Sequence, residues 1–106
     1  ALEKAKANIT KNMERQIQKL TITEHDKNEA LGRMLWTTQI ADLLGMDLVI
    51  EAATENEFVK QKIFQELDAV LQPSGIIATN TSSLSITRLA SYTKRADRFI
   101  GMHFMN

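Results

Sequence analysis

Two apolar runs without polar alternation, Asp47-Leu48-Val49-Ile50-Glu51-Ala52 and Ile76-Ile77-Ala78-Thr79, limit what this chain can fold into more than any other feature. A half-exposed strand alternates apolar and polar side chains; an unbroken apolar run fits a parallel strand covered on both faces. Between the runs lies an amphipathic segment from about Glu57 to Leu71. Its predicted buried stripe is Phe58, Ile63, Phe64, Leu67, Val70 and Leu71. Thr54 and Glu57 fit a capping box at its start, and Pro73-Ser74-Gly75 reads as a turn after it. A short helix with Ile86, Leu89 and Ala90 follows, capped by Ser82 or Ser85, and Arg98 to Phe104 reads as a third strand. Strand, helix, strand, helix, strand in that order implies an α/β fold with a parallel sheet and right-handed crossovers.

The first 45 residues are more helical and more charged. Leu2, Ala5, Ile9, Met13, Ile17 and Leu20 recur at helical spacing over residues 2 to 20. Thr23 caps a second helix with Asp26 three residues on, and Ala30, Leu31, Met34 and Leu35 form its apolar side. Leu35 to Thr38 is β-prone, with Trp36 in the core at a strand start, and Ile40 to Leu44 is a helical turn stopped by Gly45. We read residues 1–45 as a helical excursion from one domain and 46–106 as its sheet. The chain starts without Met and stops just after an apolar segment, so both ends are expected to be cut from a longer protein.

Thirteen basic residues balance thirteen acidic ones, and no basic patch suggests a nucleic-acid partner. No apolar run approaches the roughly 20 residues that cross a bilayer. Without cysteine there is no disulfide or thiolate chemistry, and a reducing compartment is permitted. The two histidines are isolated and the carboxylates lack ligand spacing, so no metal site is expected. Neither G-x-G-x-x-G nor G-x-S-x-G occurs.

Ligands of parallel α/β sheets sit at the carboxyl ends of the strands. Three polar clusters fall there: Glu51 to Asn56, Asn80 to Ser83, and His103 to Asn106. An imidazole exchanges protons near neutrality, so His103 is either a proton-transfer group or a partly buried structural histidine. The Asn80-Thr81-Ser82-Ser83 hydroxyls either cap a helix or reach a substrate oxygen. Glu55 and Lys60 flank a helix start, as surface charges or as groups that recognise a ribose or another polar cofactor edge. Lys19 faces solvent or meets a phosphate.

Three motifs, Glu51-Ala52-Ala53-Thr54-Glu55-Asn56, Asn80-Thr81-Ser82-Ser83-Leu84-Ser85-Ile86 and Gly101-Met102-His103-Phe104-Met105-Asn106, closely resemble those of the 3-hydroxyacyl-CoA dehydrogenase family, in the same order and at the same spacing. The resemblance is to the bacterial 3-hydroxybutyryl-CoA members and extends over essentially the whole chain. It implies a partial Rossmann-like sheet that starts after the second strand, without the glycine-rich turn and the acidic ribose ligand. The catalytic His-partnering glutamate and the helical domain through which the family dimerises would follow it.

The resemblance further implies a cytoplasmic enzyme that oxidises (S)-3-hydroxyacyl-CoA to 3-ketoacyl-CoA with NAD, in β-oxidation or butyrate metabolism. His103 then matches the general base, and Ser82 the serine that bonds the substrate oxygen beside the nicotinamide. Glu55, Lys60 and Asn106 match NAD-contacting positions, and Lys19 a CoA-contacting lysine. Asn12 falls where some members have a CoA-contacting serine. Two rival readings are a non-catalytic structural or CoA-binding protein on this fold, and the dehydrogenase section of a multifunctional β-oxidation enzyme.

Overall fold

The computed structural model describes residues 1–104. The chain forms two compact units, Ala1–Thr38 and Gln39–Asn106.

The first unit is a pair of helices, α1 (Leu2–Gln18) and α2 (Glu24–Gly32), lying against each other. Leu2, Ile9, Met13 and Ile17 of the predicted stripe are only half-buried. Helix α1 ends in a Schellman arrangement: the Leu20 N–H donates to the Ile17 carbonyl and the Thr21 N–H to that of Gln16, both at 3.0 Å. Leu20 occupies the left-handed position there, at φ 59°. The capping box at Thr23 is present, with Thr23 and Asp26 each accepting from the other's N–H at 3.1 Å. Residues 35–38 are not a strand. Leu35 is exposed, and the half-buried Trp36 packs under the Lys6 ammonium, 6.0 Å from the ring centroid, instead of starting a strand in the core.

In the second unit a 3₁₀ turn (Ile40–Leu43) leads to β1 (Leu48–Glu51), α3 (Glu57–Val70), β2 (Ile76–Thr79), α4 (Ile86–Ala90), a second 3₁₀ turn (Ala96–Arg98) and β3 (Phe99–Gly101). The strands are parallel in the order β1-β2-β3. Val49, Ile77 and Phe99 form one cross-strand row, and Glu51, Thr79 and Gly101 the next row on the same face. The first row packs against Phe64 and Leu67 of α3, Leu71 just after it, and Leu89 and Ala90 of α4. Phe64 and Phe99 meet edge-to-face with centroids 4.9 Å apart.

The other face is not covered as the sequence pattern suggested. Leu48 and Ile50 are 42% exposed and Ile100 is 43% exposed. Within this chain both crossover helices pack on the Val49–Ile77–Phe99 side.

The helix α3 differs from its predicted pattern at two points. Its N-cap is Asn56, whose side chain accepts from the Val59 N–H at 3.0 Å, and the Thr54–Glu57 box does not form. Thr54 accepts from the Asn56 N–H instead, and the Glu57 carboxylate is taken by Tyr92 and Arg88. The buried stripe starts at Lys60, while Phe58 is 68% exposed. Among the described residues no helix is long and apolar enough to cross a membrane.

Candidate functional site

The carboxyl ends of the three strands are tied together by hydrogen bonds. The Asn80 N–H donates to the Glu51 carbonyl at 2.8 Å, and the Met102 N–H to that of Thr79 at 2.9 Å. One residue beyond β2, the Asn80 side chain accepts from the Phe104 N–H at 3.2 Å. That bond joins the segment carrying His103 to the loop carrying Ser82. Both His103 and Ser82 are exposed, and neither side chain has a hydrogen bond within the described residues. Ser82 therefore does not cap α4; Ser85 does, accepting from the Arg88 N–H at 3.2 Å.

Beneath this edge lies a buried polar group of a kind that surface reading misses. Lys60 is fully buried and forms an ion pair with Glu51. Thr79 donates to Glu51 Oε1 at 2.6 Å, and Glu51 Oε2 accepts from the Ala53 N–H at 2.7 Å. Burial pushes the Glu51 carboxyl up, but the Lys60 ammonium, the Thr79 hydroxyl and the Ala53 N–H together hold it below the usual carboxylate range. A buried charge is tolerated when paired and hydrogen-bonded in this way. The first turns of α3 and the ends of β1 and β2 are thereby fixed to one another.

Above it, the exposed Glu55 bridges to the Ser82 loop. Thr81 donates to Glu55 Oε2 at 2.7 Å and Ser83 to the same oxygen at 3.1 Å. Gly101 lies close under Ile86: a Cβ there would stand 3.0 Å from Ile86 Cδ1.

Of the residues singled out from sequence, Ser82, Glu55, Lys60 and His103 belong to this strand-end region. Lys19 and Asn12 are exposed residues of the first unit, and Asn106 lies outside the described residues. No group of three or more His, Cys, Asp or Glu side chains among the described residues could hold a metal ion.

The strand-end residues 51–56, 79–83 and 101–104 contain hydroxyls, amides, two glutamates and one imidazole, but no lysine or arginine. A hydroxyl-rich edge without cations suits sugar hydroxyls and a carboxamide better than a phosphate, which calls for cations or a glycine-rich helix start. The residues present therefore fit the nicotinamide end of a dinucleotide.

The profile of the 3-hydroxyacyl-CoA dehydrogenase NAD-binding domain matches residues 1–106. A 3-hydroxybutyryl-CoA dehydrogenase of Bradyrhizobium diazoefficiens is 52% identical over 105 residues, 99% of this chain and 36% of that protein. The crystal structure of (S)-3-hydroxybutyryl-CoA dehydrogenase from Ralstonia eutropha superposes with a TM-score of 0.97 at 50% identity, covering all of this chain and 38% of that one. The fatty acid oxidation complex subunit alpha of Acinetobacter baylyi is 38% identical over 99% of this chain and 14% of its own length. The chain thus spans just over a third of the 3-hydroxybutyryl-CoA dehydrogenases it matches. With the parallel sheet and its hydroxyl-rich strand ends, the match places this chain in the 3-hydroxyacyl-CoA dehydrogenase family, as part of the domain that binds NAD.

Proposed function

We propose that the protein carrying this chain oxidises (S)-3-hydroxyacyl-CoA, with 3-hydroxybutyryl-CoA as substrate, to the 3-ketoacyl-CoA. The observation that carries the reading is the Asn80–Phe104 bond, which couples the exposed Ser82 loop to the exposed His103 segment at one strand-end edge. NAD, when bound, supplies the hydride acceptor. His103 takes the proton of the 3-hydroxyl as general base. The Ser82 hydroxyl bonds the same substrate oxygen and orients it. Glu55 is assigned to the cofactor, as is Asn106 on the family resemblance alone, and Lys60 supports that side from beneath through Glu51 and Thr79. Lys19, with Asn12, is assigned to the CoA moiety. A second reading, a dehydrogenase section within a larger β-oxidation enzyme, has weaker support: 38% identity to the fatty acid oxidation complex subunit alpha against 52% to the Bradyrhizobium diazoefficiens dehydrogenase.

The test is reduction of acetoacetyl-CoA with NADH by the full-length protein. His103→Ala is expected to lower kcat on the order of 10²–10⁴-fold while NADH still binds. Near-normal turnover in that variant refutes the base assignment.

A further inference from the structure

We propose that Glu55 is a positioning residue: its carboxylate anchors the Thr81–Ser83 loop and so sets the pose of the Ser82 hydroxyl. The proposal rests on the assignment of Ser82 to the substrate oxygen.

Glu55 follows β1 and Ser82 follows β2, so the two loops are neighbours at the strand ends. The residues on either side of Ser82 both donate to one carboxylate oxygen, Thr81 at 2.7 Å and Ser83 at 3.1 Å. The Thr81 hydroxyl oxygen also accepts from the Leu84 N–H at 3.2 Å and, more weakly, from the Ser83 N–H at 3.4 Å. A hydroxyl has one proton to give and two lone pairs to share, so Thr81 is fully committed. The loop is gripped on both sides of Ser82, whose own side chain is exposed and makes no hydrogen bond within the described residues.

Glu55 is ionised at neutral pH. The Thr81 hydroxyl holds its carboxyl below the usual range against the opposing pull of desolvation, helped by Ser83, the Ser82 backbone and the Lys60 charge. Bonds to an ionised acceptor are shorter and stronger than neutral ones. Without the anchor, Ser82 would sample several poses, and small displacements of a group that orients a reacting oxygen cost rate rather than affinity.

A carboxylate that only contacts the cofactor makes a different prediction, so a double-mutant cycle in the full-length protein separates the two. Glu55→Ala is expected to lower kcat on the order of tenfold, the loss typical of removing hydrogen bonds to a charged group. The kcat loss is read at saturating NADH, so that any weakening from loss of the Glu55 cofactor contact, followed as the NADH dissociation constant by fluorescence titration, is kept apart from it. In a Ser82→Ala background the same change is expected to do nothing further to kcat, because no hydroxyl remains to be posed. Glu55→Gln, which keeps an acceptor oxygen, is expected to recover part of the loss. If the Glu55→Ala loss persists in full without Ser82, or if NADH binding weakens while kcat holds, the anchoring role is overturned and the Ser82 assignment stands. If Ser82→Ala alone leaves kcat unchanged, the Ser82 assignment fails and the anchoring role falls with it.

Discussion

Lys60 shows how one side chain can be misjudged from its neighbours in sequence. It lies in the first turn of a polar helix start, where a lysine is ordinarily solvated, yet it is fully buried against Glu51 and Thr79. Removing one partner of a buried ion pair strands the other charge. Lys60→Met is therefore expected to lower stability by about 3–5 kcal/mol. Adding Glu51→Gln should restore much of that, because no charge is left unpaired: the amide oxygen can accept from the Ala53 N–H in place of Oε2, and the amide NH2 can donate to the Thr79 hydroxyl oxygen in place of Oε1. Urea denaturation of the two variants checks this; a double variant no more stable than the single one would show that the charge itself is not the cause. The motif containing Glu51 was legible in sequence. Its pairing with Lys60 was not, because the register of β1 against β2 brings Thr79 into the same group.

At the scale of elements, helix ends decide where chain segments stop and turn. Asn56 caps α3 through the Val59 N–H, so Asn56→Ala is expected to cost about 1 kcal/mol. Thr54→Ala, if Thr54 were the cap, would cost that instead, and thermal unfolding of the pair distinguishes them. The far end of α3 is closed by Arg95, which donates to the carbonyls of Asp68, Leu71, Gln72 and Gly75 and pairs with the Asp68 carboxylate at 2.7 Å. These are the orphan carbonyls of a helix terminus and the turn after it. Arg95→Ala is expected to destabilise by about 3–5 kcal/mol, and Arg95→Lys to recover little, since an ammonium lacks the planar fork that serves several acceptors at once. In the first unit, Leu20 sits in the left-handed region with its side chain exposed. Leu20→Gly is expected to raise stability by about 1 kcal/mol, the cost of that conformation for a residue with a Cβ. An unchanged or lower midpoint in urea would refute it.

For the whole molecule, two partly or fully buried carboxylates link folding to pH. Burial pushes Asp68 up, but the Lys94 N–H and the Arg95 guanidinium outweigh it and hold the carboxyl below its usual range; Glu51 is held low in the same sense. A carboxyl with a depressed folded pKa binds its proton less readily folded than unfolded. Its stabilisation is therefore complete above the unfolded value, about 4, and is lost as pH falls through the lower folded value. Stability is expected to fall on acidification below roughly pH 4. Asp68→Asn should flatten that decline, and a decline of unaltered steepness would remove Asp68 as a cause. The order of helices and strands, the Thr23–Asp26 cap, the turn at Pro73–Gly75 and the clustering of polar residues at strand ends were all fixed by residues within a turn or two of one another, and the sequence alone determined them. Which face of the sheet is covered, that Phe58 lies outside and Lys60 inside, where Glu57 and Arg95 find partners, and the linking of Glu55, Thr81, Ser83 and Phe104 were decided only in the folded chain. Except for the Lys60–Glu51 pair, nine positions apart, each joins residues twenty or more positions apart or depends on strand register, and no local pattern of hydropathy or charge records such distances.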